Sequence, residues 1–524
     1  MSRTALSLAT LLLLGLGSGM AGAAEPSSAA GLYDEHCAEC HGKGRLGGMG
    51  PALLPENLKR TPPAKARAAI RKGLPATQMP AFGDQLGEAQ IQSLVDYIFT
   101  PLPEVPRWGE AEINASHIIH NAPGSLPDKP VYDADPLNLF IVVEIGDHHA
   151  TILDGDKFEP IYRFPTRRAL HGGPKYAKNG RFVYFASRDG WISKFDMYNL
   201  KLVAETRAGI NTRNLAVSGD GRYVMVGNYL PHTLVALDAR DLSLIKVIPV
   251  TDEKGLKSSR VSAVYQAAPR TSFIAALKDI PEVWEISYAD DAKPPYTGLV
   301  HDYRKDSGEI LPDETMRFPV RRIFLDDYLD DFFFDQDYRF LMGSARGGGK
   351  GQVVFLDGAR KVADIDLPGF PHLGSGISWE YQGRPVMATP NLREGMVSII
   401  DMKNWQVIKR IETLGPGFFM RSHENTPYAW VDVFFGPHRD AVHVIDKRTL
   451  EIAETLRPAP GKTAAHVEFD RHGRYALLSI WDPDGAVVVY DANTLKEIKR
   501  LPMNKPSGKY NVWNKIHRSE GTSH

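Results

Sequence analysis

The segment Cys37-Ala38-Glu39-Cys40-His41 holds the only two cysteines of the sequence, with a histidine directly after the second. Two thiols at this spacing can add to the two vinyl groups of a haem, and the histidine that follows then lies beneath the iron as an axial ligand. Two other chemistries use part of the pattern. A thioredoxin-like redox pair belongs in a βαβ unit, whereas this motif follows a short helical stretch, Gly31 to His36; a zinc site needs two further close ligands. The expectation is one covalent haem c per chain, bound through Cys37, Cys40 and His41. For the sixth ligand, Gln78-Met79-Pro80-Ala81-Phe82 offers a thioether, which raises the reduction potential. Core filling is the simpler use of Met79, and His117 or His120 would make a bis-histidine haem instead.

The elements that would position these ligands can be read on either side of them. Pro63 to Lys72 reads as a helix before the methionine loop, and Glu88 to Phe99 as a terminal helix after it. That order is the one found in a small all-α class I cytochrome c domain, here over residues 28–100. Ahead of it, residues 1–24 read as a signal peptide: Arg3, an apolar stretch from Leu6 to Leu16, then Ala21-Gly22-Ala23-Ala24 with cleavage after Ala23 or Ala24 and export to the periplasm. As a retained anchor the stretch falls short of the roughly 20 apolar residues a span needs. No later segment has the character of a membrane span, so the mature chain is expected to be soluble. The 62 basic residues against 63 acidic ones give no reason to expect a nucleic-acid partner.

Residues 101–135, with Pro101, Pro103, Pro106, Pro123, Pro127 and Pro130, read as a linker without long regular elements. Beyond it one pattern returns: apolar residues, Asp, a polar turn, then an alternating strand. The Asp positions are 154, 196, 238, 357, 401, 446 and 491, successive differences being 42, 42, 119, 44, 45 and 45. A period in the forties built of short strands is the mark of propeller blades. The long interval has room for one irregular copy around Val283 to Tyr288 plus an insertion. The expected architecture is therefore an all-β eight-bladed propeller over residues 136–515, followed by a polar tail, 516–524. The recurring Asp is expected to cap turns. Gly347-Gly348-Gly349-Lys350 lacks the order of a phosphate loop and reads as a hairpin turn, and Asp326, Asp327, Asp330 and Asp331 read as a solvated loop.

Ala169-Leu170-His171-Gly172, Ser259-Arg260-Val261-Ser262, Gly369-Phe370-Pro371-His372-Leu373-Gly374 and Gly508-Lys509-Tyr510-Asn511-Val512-Trp513-Asn514 carry a likeness along nearly the whole mature chain. A cytochrome c domain ahead of such a propeller resembles the haem-d1-containing nitrite reductases and their paralogues in haem d1 biosynthesis. The likeness is strongest to the biosynthetic branch. It implies an oxidoreductase that converts the propionate side chain of dihydro-haem d1 into the acrylate of haem d1, with electrons passing to haem c and on to an acceptor such as a soluble cytochrome. The nitrite reductase would be a recipient of the product. By the same resemblance His171 is the proximal ligand of the d1 iron, His372, His466 and Tyr510 surround the substrate, and Arg213, Arg260 and Arg421 hold its carboxylates. His466 or His372 is the expected base, with Tyr510 orienting the reacting side chain; His372 is equally a candidate distal ligand.

Nitrite reduction makes a different demand. It consumes protons above the iron, and the reductases use two distal histidines about one blade apart. A mate for His372 would fall near Asp330 or Leu414, yet no histidine lies between His301 and His372 or between His372 and His423. The rival classes are a nitrite reductase with an altered pocket and a non-enzymatic haem d1 carrier. Most of the 17 histidines should be ordinary, among them His148, His149, His232, His438 and His443 at blade edges and His517 and His524 in the tail. His466, within Ala465-His466-Val467, also suits simple burial in a strand.

Overall fold

The computed structural model describes residues 28–74, 79–293, 315–344 and 349–517. The expected leader, Gln78, His301, Gly347, Gly348 and most of the polar tail lie outside the described residues. The N-terminal part is helical: α1 Ala29–His36, α2 Ala38–His41, α3 Pro63–Lys72 and α4 Glu88–Phe99. Each starts or ends where its local chemistry requires. Ser28 Oγ accepts from the Gly31 N–H and caps α1, Pro63 opens α3 where a missing N–H costs nothing, and the Gln90 side chain accepts from the Gly87 N–H ahead of α4. Helix α4 buries Ile91, Leu94, Val95 and Ile98, one face at helical spacing, against Ala66 and Ile70 of α3 and Leu32 and Tyr33 of α1.

Eight antiparallel sheets follow. Their innermost strands, blades 2 to 8 in chain order, are Lys175–Tyr176, Asn211–Val217, Val261–Ala267, Asp331–Phe334, Ile377–Tyr381, Met420–Ser422 and Ala464–Phe469. Blade 1 is made of Phe140–Glu144, His149–Leu153 and Pro160–Pro165, and its innermost strand is the distant Pro506–Asn511, which pairs with Phe140–Glu144 and closes the ring. The irregular copy is the third strand of blade 4, Glu282–Ser287, where Ser287 faces Ser272 in the register that Asp238 takes with Tyr223. The recurring Asp caps turns: Asp196 Oδ1 accepts from the N–H groups of Tyr198 and Asn199, and Asp491 Oδ1 from those of Asn493 and Thr494.

Two findings depart from the sequence reading. The proline-rich segment is packed down. Helix α5, Glu110–Ala115, buries Ile113 between blades 2 and 3, and Ile118–Ile119 adds a fifth strand to blade 2. His117 Nε2 is bonded to the Asp241 carbonyl at 2.7 Å and His120 Nε2 to Glu205 at 3.2 Å, so both are held on the propeller rim. The acidic run is also not one solvated loop. Asp326 pairs with Lys361, but Asp330 and Asp331 are buried where blade 5 begins. Among the described residues no helix is long and apolar enough to cross a membrane.

The helical part rests on the propeller. Ala52 and Leu54 pack against Ile210 and Leu230, Asn57 Nδ2 donates to the Tyr229 carbonyl at 3.3 Å, and Arg60 lies over the Tyr328 ring at 4.1 Å.

Candidate active site

Cys37 is the junction between α1 and α2, and Cys40 and His41 lie in α2 itself. His41 Nδ1 donates to the Pro51 carbonyl at 2.8 Å, which leaves Nε2 with its lone pair. Burial holds the imidazole pKa down, keeping the ring neutral. A Cβ on Gly50 would stand 2.7 Å from that ring, so the close backbone approach needs glycine. Cys37 and Cys40 form no disulfide with each other, and Cys37 and Met79 pack against the same apolar cluster formed by α1, α3 and α4. This donor set, two thiols, an oriented neutral imidazole and a thioether beside apolar walls, fits a covalent haem. The same loop touches the propeller: Arg168 Nη2 donates to the Glu39 carbonyl at 2.9 Å, and Asn211 Nδ2 to that of Gly48 at 3.3 Å.

Seven of the residues singled out from sequence come from seven different blades, each within or just before the innermost strand. They are His171 (blade 2), Arg213 (3), Arg260 (4), His372 (6), Arg421 (7), His466 (8) and Tyr510 (1). Innermost strands converge on the propeller axis, so one position per blade builds a ring of side chains. Blade 5 contributes Asp331, which the sequence reading left at the surface.

His171 and His372 repeat the His41 arrangement. His171 Nδ1 bonds the Arg213 carbonyl at 2.8 Å and His372 Nδ1 that of Phe418 at 2.6 Å, so each ring directs Nε2 away from its anchor. Arg213 Nη1 lies 2.9 Å from both ring nitrogens of His171, while His372 Nε2 lies 3.5 Å from Asp331 Oδ2. Asp331 in turn accepts from the Tyr265 hydroxyl at 2.7 Å and the Gly374 N–H at 3.0 Å. His466 is 1 % exposed, and among the described residues its Nε2 has no hydrogen-bond partner. The Tyr510 ring meets it edge to face, centroids 5.0 Å apart.

The electrostatics are cationic. Burial and neighbouring cations hold His171 and His466 well below the ordinary imidazole range, the cations being Arg188, Arg213 and Lys175 for the first and Lys509, Arg421 and Lys515 for the second. His372 is lowered by burial, with Asp331 opposing. Burial, then Arg421 and Arg213, brings Lys175 down to about 7. Burial pushes the Tyr229 phenol up, but Lys278, Arg213, Arg188 and Arg260 outweigh it and bring it down to about 7. Such a concentration of guanidinium and ammonium groups suits a ligand with several carboxylates. Arg260 is already engaged, Nε and Nη2 forming a two-point bond to Asp279 at 2.8 and 2.7 Å. Arg188, Lys175, Lys278 and Lys515 belong to the cluster and went unnoticed in the sequence. Alignment of the blades on their innermost strands would have found Lys175, which opens the innermost strand of blade 2. A cavity of about 830 Å³ between blades 6 and 7 reaches Arg421 and Glu468.

A propeller axis ringed by imidazoles and cations, with a thiol-bearing helical unit at its mouth, defines a tetrapyrrole-binding electron-transfer protein. The chain belongs to the family described as cytochrome D1 heme domain, which matches residues 134–316 and 305–515; residues 24–98 match cytochrome C oxidase, cbb3-type, subunit III. It is 57% identical over 98% of its length, and 99% of the relative's, to the dihydro-heme d1 dehydrogenase of Pseudomonas aeruginosa. A solved structure described as dihydro-heme d1 dehydrogenase NirN in complex with DHE is similar with a TM-score of 0.76 at 57% identity, over 93% of this chain and 99% of that one. The nitrite reductase of Stutzerimonas stutzeri is similar at 25% identity over 97% of each chain.

Proposed function

We propose that this chain is a periplasmic oxidoreductase of haem d1 biosynthesis, dehydrogenating the propionate side chain of dihydro-haem d1 to the acrylate of haem d1. One observation carries the reading: a buried neutral imidazole, His466, meets the Tyr510 phenol at the axis of a propeller whose mouth is bonded to the C-x-x-C-H loop. The kinship with a dihydro-heme d1 dehydrogenase supports it.

Turning CH2–CH2 into CH=CH releases two protons and two electrons. His466, neutral and buried, takes the proton from the first C–H bond to break; a neutral imidazole close to the reacting carbon is the base this step needs. Burial pushes the Tyr510 phenol up, so it stays protonated and orients the side chain as a hydrogen-bond donor. His171 and His372 offer Nε2 from opposite sides of the ring of blades, His171 as proximal ligand of the substrate's iron and His372 as distal ligand or second base. Arg213 and Arg421 hold substrate carboxylates, with Arg188 and Lys175 beside them, and Arg260 contributes charge while bonded to Asp279. Cys37, Cys40, His41 and Met79 would hold haem c, which would supply a one-electron acceptor. Each turnover therefore needs two transfers and an external acceptor such as a soluble cytochrome, and the nitrite reductase is the proposed recipient of haem d1.

Nitrite reduction is not favoured, because the neighbour of His372 is Asp331, an acceptor in its contacts with Tyr265 and Gly374 rather than a second imidazole. The test is to give the purified haem c form dihydro-haem d1 and an oxidised acceptor. Conversion to haem d1 with stoichiometric acceptor reduction is expected. Binding without conversion would make the chain a carrier, and nitric oxide from nitrite would make it a reductase.

A further inference from the structure

A histidine base is normally oriented through its ring, by an acceptor bonded to the nitrogen that does not react. His466 lacks that support. Its Nδ1 is 3.5 Å from the Lys509 N–H, the outer limit of a hydrogen bond, and Nε2 has no partner among the described residues. What is held instead is its peptide. His466 sits in a β-bulge, the register with the neighbouring strand shifting between Ala465 and Val467, and its φ is +55°, a left-handed value rare for a residue with a side chain. Such a backbone persists only when its surroundings over-determine it. Two ionisable side chains, each fully buried, do so. Asp432 Oδ2 accepts from the His466 N–H at 3.1 Å, and the Lys509 ammonium donates to the His466 carbonyl and to Ser479 Oγ, the latter at 2.9 Å.

Asp432 does more than grip one peptide. Its Oδ1 accepts from the N–H groups of Phe418 at 2.7 Å and Phe419 at 3.1 Å. The Phe418 carbonyl is the anchor of His372 Nδ1, and the Phe419 ring packs on His466 with centroids 4.7 Å apart. One carboxylate in blade 7 thus reaches the histidine of blade 6 and the histidine of blade 8. Resting on the reading of His466 as base, we propose that Asp432 and Lys509 are positioning residues: they fix the left-handed His466 peptide so that its ring keeps one place beside the reacting C–H, and Asp432 sets the spacing between His466 and His372. A misplacement of about 1 Å is enough to cost on the order of 100-fold in rate.

The test uses the full holo-protein. Asp432→Asn keeps size and one oxygen but turns a donor toward the N–H groups it must receive. A fall in kcat of roughly 100-fold is expected, with KM and substrate binding within about 2-fold. Combined with His466→Ala, it should add far less than its loss alone, since the part carried by that residue is already gone. Lys509→Met removes a cation that opposes protonation of His466, so the acid limb of the kcat–pH profile should move to higher pH, while Lys509→Arg should restore its position. The other charged or titratable groups around His466, namely Arg421, Lys515, Asp432 and Tyr510, are unchanged in that pair. Should Asp432→Asn fail to fold, the two Lys509 variants carry the test. Wild-type kcat and pH profile in Asp432→Asn and Lys509→Met, alongside an inactive His466→Ala, would overturn the inference; an active His466→Ala would overturn the reading beneath it.

Discussion

Arg168 and Glu39 are joined across the interface between the helical unit and the propeller, the guanidinium donating to a carbonyl inside the C-x-x-C-H loop. Arg168 stands three residues before His171. The candidate ligand of one iron and the attachment loop of another are therefore separated by one hydrogen bond and a short stretch of backbone.

Arg168→Ala is expected to slow electron passage without altering substrate affinity. The lost bond is exposed and worth ~1 kcal/mol, so a loss of roughly fivefold is the scale to look for. Stopped-flow absorbance of haem c during a single turnover measures it.

Replacing both Cys37 and Cys40 by Ser should leave no haem attached after acid–acetone extraction. Met79→His should keep the haem but lower its midpoint potential, because a thioether favours the reduced iron more than an imidazole does. Potentiometric titration of the two forms decides it; an unchanged potential would remove Met79 from the iron.

His466→Ala should reduce turnover by about 10² to 10⁴, the usual share of a general base, and Tyr510→Phe by less, while both still bind dihydro-haem d1. Equal losses in binding and in turnover would reassign the two residues to docking.

His443 gives a pH dependence of stability with a definite sign. Its Nδ1 bonds Thr455 Oγ1 at 2.8 Å, and its Nε2 accepts from the Leu414 N–H at 3.1 Å, an arrangement only the neutral ring can make. Burial, then Arg457, lowers it to about 4 from the ordinary 6.5. The unfolded chain takes up this proton as pH falls through about 6.5 and the folded chain does not until about 4, so stability is lost on acidification across that window. The urea midpoint should fall less between about pH 7.5 and about pH 5 in His443→Gln than in wild type.

The parts legible in the sequence are those whose cause is local or periodic. A haem attachment motif is contiguous, helices α3 and α4 show their faces within a dozen residues, and the blades repeat. Convergence is different. His171, Arg213, His372, His466 and Tyr510 converge because each precedes or lies in an innermost strand, and nothing in the residues beside them announces which strand that is. Asp331 was misread because a run of acids looks like a solvated loop, when the chain turns inward between Asp327 and Asp331. Asp432 and Lys509 were invisible for the opposite reason: each is a lone charge in an otherwise strand-like run, and its partner lies in another blade. Arg260 looked free because Asp279, which closes on it, is distant in sequence.

The strand Pro506–Asn511 both seals blade 1 and carries Lys509 and Tyr510. Ring closure and completion of the proposed acid–base site are consequently a single event. An open propeller, with that strand unzipped from Phe140–Glu144, would lack the Tyr510 phenol and the Lys509 side chain beside His466 together.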